Sequence, residues 1–263
     1  MKKTKIICSV LAALFLLVAV GCGGGTASKD SGKKEAAKKE LIVATEPSFA
    51  PFEFPDKKTN QIIGFDIDII NAVAKKAGFE KVTVKSMGFD ALIPALNSGN
   101  IDATIAGMSI TEARKKQVNF TDPYYTSGLW TIVAKDNTTI KSMKDLEGKT
   151  IGVQLGTVGA EAAGKIKGAT VKTFNTSDLA CLELKNKGVD AVISDAPVLA
   201  YFLKTQGSSY AKGVGEAKKD DAYGIATAKN NKELADKLNK ALGEIKKNGE
   251  YQKIYDKWFK AEK

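Results

Sequence analysis

The chain has 263 residues, 43% of them hydrophobic and 27% charged, which is the balance of a folded protein with one large or two modest domains and excludes a disordered, fibrous or polytopic membrane chain. It contains no histidine, and that removes Ser-His-Asp hydrolases, Cys-His proteases, HExxH zinc enzymes and imidazole-ligated metals together. The formal charge is +10, but eight lysines against three acids fall in the first forty residues, and the remainder, about +5, scatters its lysines among acids; nothing gathers them into the basic, aromatic-studded face of a nucleic-acid binder.

Lys2, Lys3 and Lys5 precede an apolar run over 6–20, interrupted only by Cys8 and Ser9, and small residues follow over 21–25. A basic start, a short apolar core and a small-residue end predict an export signal over 1–21. The run is short for a membrane-spanning helix, which needs roughly twenty residues. Its end, Ala19-Val20-Gly21-Cys22, resembles the lipobox of bacterial lipoproteins, with Ala19 where leucine is usual. The resemblance implies that Cys22 becomes a lipidated N-terminus holding the exported protein on the outer face of a membrane, periplasmic or cell-surface. Residues 22–40, built of Gly, Ser, Ala, Lys and Glu without an apolar period, read as a flexible tether.

Beyond the tether the pattern is alternating α/β. Leu41-Ile42-Val43-Ala44 reads as a buried strand, and 65–77 as a helix with Ile67, Ile70, Val73, Ala74 and Ala77 on one stripe and Gly78 at its end. A strand over 82–84, a short helix over 91–97 and a strand over 101–106 follow. The phrase helix, Gly, apolar-Asp-Ala-x-Ile occurs over 99–105 and again over 188–193, which reads as two equivalent halves. Ligands of open α/β sheets lie beyond the carboxyl ends of strands, so residues 107–109 and Asp195 are expected to face a shared cleft. Strands over 129–134 and 223–228 are expected to carry the chain to the second half and back, as a hinge. The helical pattern over 232–259, with Leu234, Leu238, Leu242 and Ile245, then Tyr251, Ile254, Tyr255 and Trp258 after Gly249, is expected to pack on the first half. Cys8 leaves with the signal, and Cys181, alone inside a helical pattern, reads as a buried structural thiol.

Several segments occur in order along the body: Pro51-Phe52-Glu53-Phe54, Gly64-Phe65-Asp66-Ile67-Asp68, Phe89-Asp90-Ala91-Leu92, Ala106-Gly107-Met108-Ser109 through Arg114, Phe120-Thr121-Asp122-Pro123-Tyr124-Tyr125, Leu155-Gly156-Thr157, and Lys257-Trp258-Phe259. Together they resemble family 3 of the bacterial extracellular solute-binding proteins, the polar amino-acid receptors of ABC importers. The resemblance implies an α/β, type II periplasmic-binding-protein fold with two lobes, a two-strand hinge and a ligand cleft between lobes. The lobes are expected at 41–126 with 224–263, and at 127–223. It further implies a monomer that is not an enzyme, takes a free L-amino acid and a membrane-embedded permease as partners, and uses no cofactor, metal or nucleic acid.

A buried amino acid needs a fixed cation and a fixed anion, because unpaired charges lose several kcal/mol to desolvation. Arg114 is the sole arginine among forty basic residues, and a planar guanidinium grips a carboxylate through two parallel bonds. Asp195 matches the family's ammonium ligand; beside Pro197 it also reads as a helix N-cap, and both roles are open. By resemblance, Ala106, Gly107 and Ser109 supply contacts from the first lobe, and Thr157 with Val158 contacts at a helix start over 158–166. Phe49 and Phe89 resemble the aromatic pair that sandwiches the ligand's aliphatic part, although two phenylalanines read alone are core residues. Glu46 matches the position where relatives place an acid near the ligand side chain, and Gln154 a position that varies. Glutamine-selective members commonly carry a basic group at the Gln154 position and a histidine at the Ser194 position, and this chain has neither. The expected ligand is a polar, basic L-amino acid of the Arg/Lys/His type. A glutamine receptor is the alternative within the class, and a prephenate or arogenate dehydratase with Glu46 as its acid is the alternative from another class.

Overall fold

The computed structural model describes residues 39–260. The expected export signal, Cys22 and the tether up to residue 38 lie outside this range. The tether reading extends one residue too far at its end, because Glu40 already opens the strand Glu40–Thr45. Its side chains alternate: Leu41 and Val43 enter one apolar cluster, while Ile42 and Ala44 pack on another. A strand apolar on both faces belongs inside a sheet covered by helices on both sides.

That strand pairs in parallel with Lys81–Ser86 on one side and Ala103–Thr104 on the other. Ala226–Ala228 then adds antiparallel to Ala103–Thr104, and Val118–Phe120 forms the edge. The second sheet repeats the scheme. Thr150–Gln154 lies in parallel between Thr170–Phe174 and Ala191–Asp195, Leu129–Ala134 pairs antiparallel with Ala191–Asp195, and Ala211–Val214 is the edge. Parallel neighbours require crossovers. Phe65–Lys76 supplies one in the first half, and Val158–Gly164 and Ser177–Lys185 supply them in the second.

The repeated phrase has the same structural job in both halves. The Asp102 backbone N–H donates to Ile42 O at 2.8 Å while its carboxylate accepts from Ile42 N at 2.8 Å. The Asp190 N–H likewise donates to Thr150 O at 2.8 Å, and its carboxylate accepts from Thr150 N at 2.8 Å. Asp102 therefore fastens the strand Ala103–Thr104 to Glu40–Thr45, and Asp190 fastens Ala191–Asp195 to Thr150–Gln154. The strand expected over 101–106 keeps regular pairing only at Ala103–Thr104, because Gly107, at φ 52°, turns the chain away.

The crossings differ from expectation. Leu129–Ala134 lies wholly in the second sheet and Ala226–Ala228 in the first. The chain crosses on a two-stranded ribbon, Tyr125–Ser127 against Asp221–Tyr223. The C-terminal segment forms two helices, Lys232–Lys247 and Glu250–Phe259, parted by Gly249 in the left-handed region at φ 82°. Both pack against Phe65–Lys76. Leu238, Leu242 and Ile245 bury their faces there, with Tyr251, Ile254, Tyr255 and Trp258 half-buried beside them. Cys181 is buried, and burial pushes its thiol upward, as suits a structural residue. Among the described residues no helix is long and apolar enough to cross a membrane.

Candidate functional site

The carboxyl ends of the strands of both sheets converge on one cavity. Glu46 follows Glu40–Thr45, and Ala106, Gly107 and Ser109 follow Ala103–Thr104. From the other side come Gln154 at the end of Thr150–Gln154, Thr157 and Val158 at the next helix start, and Asp195 at the end of Ala191–Asp195. Phe49, Phe89 and Arg114 complete the wall, so every expected ligand-binding residue lines this space, together with Glu53.

Arg114 sits on the short helix Glu112–Lys115, whose N-cap Thr111 hydroxyl accepts from the Arg114 backbone N–H at 3.2 Å. The side chain is buried and stacks over the Phe89 ring at 5.2 Å. Its Nη1 donates to Ser109 O at 2.8 Å, and its Nη2 reaches across the cleft to Gly156 O at 3.0 Å. Burial lowers its affinity for the proton, and the charges of Glu161, Asp221 and Asp195 oppose that effect. The group stays a guanidinium.

Asp195 occupies the N-cap position of the helix Ala196–Phe202, yet its carboxylate makes no cap bond. This corrects the capping half of the dual reading. The carboxylate turns instead to the crossing ribbon, where Oδ1 accepts from Tyr223 Oη at 2.7 Å and from Ser127 Oγ at 3.4 Å. Its pKa is raised to about 7, first by burial and then by the charge of Asp221, against the lowering effects of Tyr223, Ser127 and Arg114.

Glu46 is buried, and its Oε2 accepts from Ser48 Oγ at 2.7 Å and Gln154 Nε2 at 2.9 Å. Gln154 donates also to Asn175 O at 3.1 Å, and its Oε1 accepts from Ser177 Oγ at 3.3 Å. The Gln154 amide is thus occupied in aiming Glu46. Burial pushes the Glu46 carboxyl upward, against the hydrogen bonds from Ser48 and Gln154.

A family model described as bacterial extracellular solute-binding proteins, family 3, matches residues 41–261. The chain belongs to that family. Among its relatives, the arginine-binding extracellular protein ArtP of Bacillus subtilis (strain 168) is 38% identical over 97% of this chain and 97% of its own length. An arginine-binding periplasmic protein of Mannheimia haemolytica is 43% identical over 84% of this chain and 92% of its own. A solved structure described as an ancestral arginine-binding protein bound to arginine superimposes with a TM-score of 0.81 at 48% identity, covering 84% of this chain and 99% of that one. The fold is therefore the two-lobed type II architecture.

Within this family 3 protein, several polar groups of the wall are already committed. The Gly107 N–H donates to Asp66 Oδ2 at 2.9 Å, so Gly107 offers its carbonyl rather than its N–H. A Cβ at Gly107 would fall 2.5 Å from the Phe49 ring, so only glycine fits. Ser109 Oγ donates to Asp221 Oδ2 at 2.5 Å, which leaves lone pairs to face a donor. The Thr157 hydroxyl donates to Gln154 O at 2.8 Å and caps Ala160 N at 3.2 Å, so its backbone is what remains. The residues that sequence reasoning missed are Glu53, Ser127 and Tyr223. Glu53 stood in a quoted motif without a role, and nothing local to Ser127 or Tyr223 marks them as partners of Asp195, sixty-eight and twenty-eight residues away.

Proposed function

We propose that this family 3 solute-binding protein captures a basic L-amino acid, arginine foremost, by closure of its two lobes and hands it to a membrane permease. The observation that carries this reading is the charge inventory of the cavity. The zwitterionic part of any amino acid uses Arg114 for its carboxylate and Asp195 Oδ2 for its ammonium, with the Gly107 carbonyl and Ser109 hydroxyl as further acceptors. Glu46 is buried, accepts only from the Ser48 hydroxyl and the Gln154 amide, and makes no ion pair among the described residues, so it is left over for a cationic side chain. A glutamine amide can donate to Glu46 but brings no compensating charge. The arginine-binding descriptions of the relatives support the same choice.

Binding at about micromolar strength needs roughly 8 kcal/mol net, within reach of two charge-assisted anchors and two aromatic walls after ordering costs. Closure follows from the ligand's greater affinity for the state in which Arg114 and Asp195 both reach it. We take the lobes as 41–126 with 224–263 and 127–223, a division supported by the two sheets and the ribbon between them. Cys22 is proposed as the lipid attachment point of an exported monomer, and the leash raises the encounter rate with the permease.

The test is a thermal-shift panel of the twenty amino acids on purified protein, followed by calorimetry. Arginine is expected to give the largest shift, lysine and histidine next, and glutamine a smaller one. A larger shift with glutamine than with arginine would overturn the assignment. Prephenate incubated with the protein is expected to yield no aromatic product, which separates a receptor from a dehydratase.

A further inference from the structure

Glu53 is fully buried, and neither of its carboxyl oxygens accepts a hydrogen bond from any described residue. Asp66, also fully buried, is half satisfied. Its Oδ2 accepts from Gly107 N at 2.9 Å and Tyr124 Oη at 2.6 Å, while its Oδ1 has no donor. The two side chains lie within hydrogen-bonding reach of each other. Their backbones are sewn together, because Asp66 N donates to Phe52 O at 2.9 Å and Phe65 N to Pro51 O at 3.0 Å. Glu53 is tied in turn to the aromatic wall, with Phe49 N donating to Glu53 O at 2.9 Å and Glu53 N to Phe49 O at 3.2 Å.

Two ionised carboxylates in contact in a dry site repel, and each orphaned acceptor carries its own desolvation cost. The groups facing the pair offer no relief. Glu46, just past the first strand, and Asp195 from the other half add negative charge around Glu53, and Tyr124 already donates to Asp66. The guanidinium of Arg114 is engaged by Ser109 O and Gly156 O. One proton between the two carboxyls partners Asp66 Oδ1 with one Glu53 oxygen and removes one of the two like charges.

We propose that Glu53 and Asp66 hold a single proton, carried by Glu53 and donated to Asp66 Oδ1, and that this bond positions the Phe49 and Gly107 walls of the binding cavity. Asp66 remains the anion because two donors already stabilise it, and Glu53 has none. The electrostatics agree: burial and the adjacent Asp66 push Glu53 well above the usual carboxyl range, whereas burial, opposed by Tyr124 and Gly107, raises Asp66 only to about 6. Glu53 is a positioning residue on this account. It acts through Phe49 and through the Asp66–Gly107 bond.

The test compares wild type with Glu53→Gln, whose amide can still donate but carries no titratable proton, and with Glu53→Leu, which cannot donate. The first readout is the protonated-carboxyl stretch in the infrared spectrum of the whole protein at neutral pH, which needs no ligand. A band that Glu53→Gln removes is expected, and a wild-type spectrum in which Glu53→Gln removes nothing overturns the proposal. The second readout, which rests on the proposed arginine ligand, is arginine affinity against pH. Glu53→Gln is expected to stay within about threefold of wild type at neutral pH and to lack the decline that wild type shows before arginine's own α-ammonium titrates, while Glu53→Leu loses at least about tenfold. Equal losses in both variants overturn the positioning role. Failure of arginine to bind wild type at all refutes the ligand assignment, and the infrared result still decides the shared proton.

Discussion

At the scale of single residues, the cavity separates anchoring from selection. In the proposed function Arg114 and Asp195 serve what all amino acids have in common, and Glu46, aimed by Ser48 and Gln154, reads what distinguishes them. Glu46→Gln is therefore expected to weaken arginine binding about tenfold to a hundredfold, the range of one charge-assisted hydrogen bond. Glutamine binding should change by less than about threefold, and calorimetry with both ligands checks the split. The cavity positions of the two proposed anchors were legible in the sequence, Arg114 as the lone arginine and Asp195 at a strand end, while their roles toward a zwitterion came from the family resemblance. Tyr223, Ser127 and Glu53 were not, since each acquires its role only from a tertiary partner. Thr157 and Gly107 were legible as positions but not as atoms, because their donors turn out to be used within the protein.

At the scale of elements, the twin aspartates are the clearest case of sequence dictating structure. Asp102→Ala is expected to cost about 1–2 kcal/mol of stability by leaving the half-buried Ile42 N–H without its carboxylate partner. Asp190→Ala should cost less, since its bond to Thr150 lies near solvent. Urea denaturation measures both, with arginine affinity expected to hold at wild-type values. Helices with long apolar stripes, such as Phe65–Lys76 and Lys232–Lys247, could be read from periodicity because one face of each meets the core. The crossing ribbon could not. Tyr125–Ser127 and Asp221–Tyr223 are three residues each, too short for any periodic signal, and their pairing joins segments far apart in the chain.

At the scale of the whole molecule, the buried acids make stability depend on pH. Asp195 rises from 3.8 to about 7 and Asp66 from 3.8 to about 6 on folding, both chiefly through burial. A carboxyl raised in the folded state contributes fully below its unfolded pKa and loses that contribution as pH climbs through the folded value. The surface carboxylates Asp56, Asp145 and Asp256 are lowered by their hydrogen bonds and work in the opposite sense, but only at pH below about 4. The melting temperature without ligand is thus expected to fall as pH rises from about 5 to about 8 at fixed ionic strength. Arginine should flatten this slope by setting an ammonium against Asp195, and Asp195→Asn should remove its upper part. Scanning calorimetry across that range decides the matter, and a flat profile for wild type without ligand would contradict it.

The ribbon also has a genetic meaning. Every strand of the second sheet lies between its two arms, and Thr126 faces Ala222 directly across it. In coding terms the second half is a cassette whose splice points are neighbours in space, so a tight turn joining those two positions could stand in for it. The first half offers no such excision, for its last strand, Ala226–Ala228, is encoded downstream of the cassette.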